Sequence, residues 1–252
     1  MSLIGDFIYK IKRSDDPFFK TLKQIARQII YPKVLRFPRF TQPIFRALYE
    51  LHWSAVIVCR TIANLIYWGP LFQGRCATLG KSVHIELLPY VTGPVEIHLH
   101  DYVFIGGKCS ILSGSIFEKP QLVCKERVAI GWETQITVNK EIVIEENVIV
   151  SYNCRISDTD GHRREADLRA AGLPPLPEDC RPVRICKDAW IGNGSHILKG
   201  VTIGEGAIIA SNSVVISDIP PYALAMGNPA EVILRNVGLP STMRKPRKNN
   251  PS

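Results

Sequence analysis

Residues 191–217 read IGNGSHILKGVTIGEGAIIASNSVVIS, and an aliphatic residue stands at every sixth position of this stretch. An amphipathic helix repeats about every 3.6 residues and a half-buried strand about every 2, so neither element alone produces this spacing. The period indicates an internal repeat in which each six-residue unit forms a short strand and a corner. The repeating positions are Ile191, Ile197, Ile203, Ile209 and Val215.

The same period extends upstream to residue 79, with a slip of two residues after Val103 and breaks before residues 130, 144 and 185. The upstream positions are Leu79, Ile85, Val91, Ile97, Val103, Ile105, Ile111, Phe117, Ile130, Ile136, Ile144, Val150, Ile156 and Ile185. Three units are expected to close a triangular coil of about 18 residues, and stacked coils to bury aliphatic ladders between parallel strands. The glycines at 192, 194, 200, 204 and 206 suit corners that need a positive φ. The sequence therefore predicts an all-β fold, a parallel β-helix.

Residues 188–233, DAWIGNGSHILKGVTIGEGAIIASNSVVISDIPPYALAMGNPAEVI, resemble the C-terminal half of the hexapeptide-repeat acyltransferases. Their W-I-G opening, D-I-P-P exit and G-N-P-A-x-V-I close are similar to those of bacterial maltose, galactoside and polysaccharide O-acetyltransferases. The resemblance covers about residues 79–235 and implies a left-handed β-helix, a homotrimer, and acetyl-CoA bound in grooves between neighbouring subunits. With the charge and the helical pattern of the first residues, we expect a basic helical arm (1–70), a β-helix (71–235) with an external loop at 157–184, and a basic, flexible tail (236–252).

The period of six stops between Ile156 and Ile185, where a charged, proline-rich stretch must leave the coil as a loop. This loop contains His162, preceded by Asp158 and Asp160. Acyl transfer to an alcohol requires a base, and imidazole suits that role when a carboxylate orients the ring. The residues alone leave open an ordinary exposed loop histidine. The resemblance identifies Gly161-His162 with the catalytic Gly-His pair of the family, and either aspartate is expected to orient the ring.

The cofactor residues follow from the resemblance. It implies that Trp190 and Asn193 border the thiol end of the pantetheine arm, and that Ser211 contacts the cofactor. A large aromatic at position 190 could alternatively pack between subunits. The family often has basic residues where this chain has Ser217 and Glu231. Arg235 or the tail segment 244–248 is therefore expected to meet the CoA phosphates.

Trp132 and Glu133 are candidate acceptor residues near His162, since an aromatic face and a carboxylate suit a sugar. We expect no metal, because no persuasive set of three or four zinc ligands exists in the sequence. The predicted activity is transfer of an acetyl group from acetyl-CoA to a sugar hydroxyl of a glycan or its precursor. Two alternatives stay open: an N-acetyltransferase acting on the amino group of a nucleotide sugar, and a non-catalytic trimeric scaffold.

The first 60 residues hold eleven Lys/Arg and four Asp/Glu, which is +7 of the formal net charge of +8. A basic arm beside a nearly neutral body favours an anionic membrane surface or an acidic partner over a nucleic acid, and an ordinary solvated helical face stays open as an alternative. Helices are expected after the capping residues 14–16 and from about 41 to 68, ending at Gly69-Pro70. Residues 53–72 are long enough to span a bilayer, but Arg60 and Asn64 favour a packed or interfacial helix.

The seven cysteines include no C-x-x-C pair, and no signal-peptide pattern begins the chain. Both features favour a reducing compartment. We therefore expect a cytoplasmic protein that contacts the inner face of the cell membrane through residues 1–70.

Overall fold

The computed structural model describes residues 13, 16–30, 36–237 and 239 of the 252-residue chain. The chain divides into two compact units, residues 1–56 and 57–252. The expected boundary at residue 70 and the expected flexible tail from residue 236 stay predictions. Most of that tail, including segment 244–248, lies outside the described residues.

The first unit contains helix α1 (Pro17–Ile30), a 3-10 turn (Arg39–Thr41) and the beginning of helix α2 (Gln42–Ala63). The carboxylate of Asp16 accepts a hydrogen bond of 2.8 Å from the backbone N–H of Phe18. This contact satisfies one of the free N–H groups at the start of α1, as expected for a capping residue. The other two predicted capping residues, Ser14 and Asp15, lie outside the described residues.

Stacked triangular coils make up most of the second unit, and each coil contributes one strand to each of three sheets, here named A, B and C. The first four coils contain β1 (Cys76–Leu79), β2 (His84–Ile85), β3 (Tyr90–Thr92), β4 (Glu96–Leu99), β5 (Phe104–Ile105), β6 (Ser110–Leu112), β7 (Gln121–Cys124), β8 (Ala129–Ile130), β9 (Gln135–Thr137), β10 (Glu141–Ile144), β11 (Ile149–Val150) and β12 (Arg155–Ser157). The last two coils and the closing hairpin contain β13 (Val183–Ile185), β14 (Trp190–Ile191), β15 (His196–Ile197), β16 (Thr202–Ile203), β17 (Ile208–Ile209), β18 (Val214–Val215), β19 (Leu224–Gly227) and β20 (Ala230–Leu234).

Sheet A is ordered β1-β4-β7-β10-β13-β16, sheet B β2-β5-β8-β11-β14-β17-β19-β20, and sheet C β3-β6-β9-β12-β15-β18. Every pairing is parallel except β19 with β20. The left-handed parallel β-helix with an N-terminal helical extension is confirmed. Its three edges are named by the sheets that meet there. The B–C edge joins a sheet B strand to the next sheet C strand, and the C–A edge joins a sheet C strand to the next sheet A strand.

The six-residue period is the core of this β-helix. Ile185 pairs with Ile203, Ile191 with Ile209, and Ile197 with Val215, so that residues 18 apart lie directly above one another. All of these side chains are buried. Each aliphatic side chain therefore contacts the equivalent residue of the next coil, and the ladders exclude water along the whole axis.

The first four coils have longer sheet A strands than the last two, and the second coil also contains the segment 113–120 between β6 and β7. Two side chains of β10, Ile142 and Ile144, point inward, and Ile142 pairs with Leu122, twenty residues earlier. The inward positions expected for Leu79 and Phe117 are wrong. Leu79 is exposed, and Phe117 is half-buried in the segment between β6 and β7.

The corner glycines have two different roles. Gly194, Gly200 and Gly206 have a positive φ, as predicted. Gly192 and Gly204 do not have a positive φ. Glycine is needed at these two positions because the backbone of the next coil passes close to them. A Cβ at Gly204 would lie 2.4 Å from the backbone nitrogen of Pro221.

A helical segment, residues 57–73, precedes the first coil. It comprises the end of α2, a π-helical turn (Asn64–Trp68) and helix α3 (Gly69–Gln73), so the predicted end at Gly69-Pro70 is wrong. Pro70 has no N–H and tends to break a regular helix, and the π turn just before it allows the helix to continue. Phe72 is buried in the core. Among the described residues, the helix Arg39–Gln73 is long and apolar enough to cross a membrane.

Candidate active site

The period is interrupted by an external loop, residues 158–182, which leaves the coil after β12 and returns at β13. It contains helix α4 (Ala166–Ala170) and a 3-10 turn (Pro177–Asp179). At the base of the loop the N–H of Arg181 donates a hydrogen bond of 2.9 Å to the carbonyl of Asp158. The N–H of Gly200 donates to the carbonyl of Arg181 at 3.0 Å. The loop is therefore attached to the C–A edge of the β-helix at both of its ends.

Asp158 is fully buried and binds the corner between β9 and β10. Its Oδ2 accepts hydrogen bonds from the N–H groups of Asn139, Lys140 and Glu141 at 3.0, 2.6 and 2.9 Å, and its Oδ1 accepts from Asn139 at 2.8 Å. Burial raises the pKa of Asp158, and the N–H groups oppose this rise by stabilising the charged form. Both carboxylate oxygens are thus used by the backbone, and we correct the expectation that Asp158 orients His162.

Asp160 also has another partner. Its Oδ2 lies 2.6 Å from Nζ of Lys199, a side chain that is only 6% exposed on the C–A edge. The ammonium has no aligned hydrogen bond among the described side chains, so the close contact is an ion pair. Oδ1 of Asp179, near the other end of the loop, lies 3.9 Å from the same ammonium. Asp160 thus anchors the loop to Lys199 through Oδ2, and its predicted role in orienting His162 stays a prediction.

His162 follows these anchors in an exposed bend. Gly161 has a φ of +81°, and its N–H donates a hydrogen bond of 3.1 Å to Oγ1 of Thr159. Within the part of the chain that the structure describes, no protein group is hydrogen-bonded to the imidazole of His162. The ring is therefore free to meet a reacting group. It stays near the C–A edge, because it is only two residues away from Asp160.

The predicted cofactor residues lie on or beside the B–C edge, where Trp190, Asn193 and Ser211 follow one another on the last two coils. The indole of Trp190 is half-exposed, and its Nε1–H donates to Oγ of Ser151 at 3.1 Å. Oδ1 of Asn193 accepts from the N–H of Tyr152 at 3.2 Å. Ser211 is exposed one coil further along. These contacts hold a half-exposed aromatic face and polar corner atoms along one edge of the β-helix.

The predicted acceptor residues, Trp132 and Glu133, lie on the same B–C edge in the third coil. The guanidinium of Arg60 lies over the Trp132 ring, 5.5 Å from its centroid. Oε1 of Glu133 is 3.2 Å from Nζ of Lys108. Both side chains already have partners, and they lie on a different edge from the loop that carries His162. Within one chain, the expected sugar site formed by Trp132, Glu133 and His162 is therefore not assembled.

Arg235, the expected absence of a metal site and Lys199 are the remaining points about binding groups. Arg235 is exposed just after β20, and its role toward the CoA phosphates stays a prediction. In the described part of the chain, no group of three or more His, Cys, Asp or Glu side chains is placed to hold a metal ion. Lys199 was not recognised from the sequence. Nothing there distinguishes it, because Lys187 and Glu205 stand at equivalent positions of the repeat and are exposed, whereas Lys199 is buried.

The comparisons with known proteins agree with the repeat and the fold. Residues 182–217 match the family described as bacterial transferase hexapeptide (six repeats). A probable acetyltransferase of Mycobacterium tuberculosis is 29% identical over 209 residues, which cover 79% of this chain and 66% of that protein. A putative acetyltransferase of Saccharomyces cerevisiae is 41% identical over 108 residues, which cover 43% of this chain and 53% of that protein. The chain thus spans about half to two thirds of the length of these two relatives.

Among solved structures, AntD, an N-acyltransferase from Bacillus cereus crystallised with dTDP and 3-hydroxybutyryl-CoA, is similar in fold. The TM-score is 0.52 at 19% sequence identity, and the match covers 66% of this chain and 86% of AntD. The resemblance to the hexapeptide-repeat acyltransferases is confirmed by the repeat, by the named relatives and by the fold.

Proposed function

We propose that this protein transfers an acetyl group from acetyl-CoA to a hydroxyl group of a sugar, in a glycan or a glycan precursor. The observation that carries the proposal is the free imidazole of His162, presented by a loop with two anchors on its N-terminal side, Asp158 and Asp160. The relatives named as acetyltransferases support the acyl chemistry. The resemblance of segment 188–233 to sugar O-acetyltransferases supports the acceptor class.

In the proposed mechanism, His162 acts as the general base. An imidazole nitrogen takes the proton of the acceptor hydroxyl while the hydroxyl oxygen attacks the thioester carbonyl. The new C–O bond forms as the carbonyl oxygen becomes an oxyanion, which backbone N–H groups of a coil corner would stabilise. When the C–S bond breaks, the imidazolium returns its proton to the leaving thiolate. No covalent enzyme intermediate is needed.

The residues of the B–C edge fit the pantetheine arm of acetyl-CoA. The half-exposed indole of Trp190 offers an apolar face, and Asn193 and Ser211 supply polar atoms beside it. The CoA phosphates have fewer partners there, because Glu231 and Ser217 are exposed where the family often has cations. Arg235 is the described cation that we assign to them.

The position of His162 on one edge and of Trp190 on another supports a homotrimer. A threefold arrangement would place the C–A edge of one chain beside the B–C edge of its neighbour. Each site would then combine His162 of one subunit with Trp190 and Asn193 of the next. This arrangement also explains why one chain alone does not bring the predicted residues together.

The activity is tested by incubating the protein with acetyl-CoA and each of a panel of sugars. The measured quantity is the free thiol of CoA that forms when the acetyl group is transferred. His162→Ala should lower kcat by about 10²- to 10⁴-fold, the usual contribution of a general base. His100→Ala is the matched control, since His100 is an exposed histidine that contacts Glu126 on another face. Turnover that survives in His162→Ala would contradict the assignment of the base.

Two outcomes would favour the alternatives. Acetylation of amino sugars with only a modest loss in His162→Ala would favour an N-acetyltransferase, because a neutral amine needs less help from a base. A scaffold would show neither transfer nor thermal stabilisation, whereas a ligand at 100 times its Kd adds about 2.7 kcal/mol to the unfolding free energy.

The shared site is tested by co-expressing His162→Ala with an inactive Asn193 variant. If each site draws on two chains, mixed trimers should recover about one quarter of the parental activity, because random assembly rebuilds that share of the sites. Two inactive variants that stay inactive when mixed would place the whole site within one chain.

We also propose a reducing compartment, the cytoplasmic side of the cell. All seven cysteines are free thiols, and four of them are buried inside the protein. Detection of the protein in an oxidising compartment, after fractionation with compartment markers, would contradict this proposal.

A further inference from the structure

In the helical segment 57–73 the polar side chains of Arg60 and Asn64 face the protein, and so do Trp68 and Phe72, whereas most of the other large apolar side chains face outward. On the inner side, the Arg60 guanidinium stacks on Trp132, and the Asn64 side-chain amide donates a hydrogen bond to the carbonyl of Ile85. A cavity of about 210 Å³ between this helix and the first coil is lined by both polar and apolar residues, among them Glu86 and Ile85. An amphipathic helix on a water-soluble protein has its charged side chains on the outer side instead.

The outer side of the same segment consists of large apolar side chains, which we call the outer face. Leu65 is 78% exposed, Ile66 69% and Tyr67 60%. The outer face comprises Val58, Ile62, Leu65, Ile66, Tyr67 and Leu71. A contiguous set of this size on a protein surface is typical of contact with another apolar phase.

We propose that the outer face binds the surface of an anionic lipid bilayer, with its side chains in the boundary between headgroups and acyl chains. The positive charge of the residues that precede the outer face is the reason for proposing an anionic membrane. Residues 1–60 carry eleven Lys/Arg against four Asp/Glu, and Arg36, Arg39 and Arg46 are exposed. Apolar side chains together with clustered cations are the combination that binds anionic membranes.

The structure favours this interfacial position over a transmembrane one. Arg60 and Asn64 lie in the middle of the most apolar stretch, and both are engaged with the β-helix. A helix that crossed the bilayer would have to break these contacts and carry a guanidinium into the hydrocarbon. A helix that stays on the first coil exposes only its outer face to lipid. The proposal does not depend on the identity of the acyl acceptor.

Flotation of the full chain with vesicles tests the proposal. Vesicles of equal parts phosphatidylcholine and phosphatidylglycerol should carry the protein upward, and vesicles of phosphatidylcholine alone should carry much less of it. The double variant Leu65→Gln with Ile66→Gln should lower the affinity for the anionic vesicles about tenfold or more, because two apolar side chains no longer enter the lipid. Its melting temperature should match that of the parent.

A matched pair of tyrosines provides the control. Tyr67→Asn removes a 60% exposed ring from the outer face, and Tyr102→Asn removes a 59% exposed ring from a coil corner. Only Tyr67→Asn should weaken flotation.

Three results would overturn the proposal. They are equal flotation with both kinds of vesicle, a protein that resists extraction by carbonate as a transmembrane helix does, and a double variant that loses subunits in the absence of lipid. The last result would assign the outer face to contact between copies of this chain.

Discussion

Replacing Asp158 by Asn should destabilise the β-helix although the two side chains have the same shape. The carboxylate accepts four N–H contacts from three consecutive residues, and an amide can offer only one of its two atoms as an acceptor. The amide nitrogen would face the N–H of Asn139, a buried residue, or the N–H groups of Lys140 and Glu141. A hydrogen bond to a charged group contributes about 1.5–3 kcal/mol and a neutral one about 0.5–1.5 kcal/mol.

Weakening the bonds that remain and losing at least one should cost about 3 kcal/mol of unfolding free energy. For a protein of this size that corresponds to a fall of about 6–12 °C in Tm, measured by thermal denaturation. Asp218→Asn is the matched control, since exposed Asp218 accepts one backbone N–H, that of Thr202 at 2.7 Å, and should cost less than about 1 kcal/mol. A Tm of Asp158→Asn equal to that of the control would refute the role of Asp158 as an anchor.

Further predictions follow from the loop, the corners and the cysteines. Lys199→Met should lower kcat about tenfold or more with little change in Tm, because the loop that presents His162 loses its ion pair; an unchanged kcat in the thiol-release assay would contradict this. Gly204→Ala should lower Tm by several degrees, about 2–4 °C per kcal/mol, because the next coil blocks a Cβ. Gly74→Ala, where the nearest atom is 3.4 Å away, should not. Iodoacetamide should label exposed Cys59 in the native protein but not buried Cys124, whose pKa burial raises to about 12; peptide mass spectrometry would show labelled Cys124 if the core were open.

Much of the fold could be predicted from the sequence, because each coil repeats the same local requirement. Every sixth side chain must enter the axis, so Ile185, Ile191 and Ile197 are visible as a pattern before any contact is known. The break in that pattern also located the loop of His162. The longer coils were harder to recognise, because the two inward side chains of a sheet A strand, such as Ile142 and Ile144, mimic ordinary strand alternation.

The partners of the loop residues could not be read from the sequence. Asp158 binds backbone groups 17–19 residues earlier, and Asp160 meets Lys199 from the following coil. In both cases the stacking of one coil on the next decides which groups meet. A carboxylate close to a histidine in sequence therefore orients that histidine only if the neighbouring coils leave it free.

The division of the candidate site between two edges also appears only in three dimensions. His162 and Trp190 are both recognisable from local motifs. The edge on which each of them lies depends on how many residues each coil contributes to each sheet. Likewise, the apolar residues of segment 57–73 are evident in the sequence, but only the packing of Arg60 and Asn64 on the coil shows which side they face. The sequence by itself determined the repeat, the core and the loop, because these depend on local period. The tertiary structure decided edges, anchors and exposed faces, because these depend on contacts between residues of different coils.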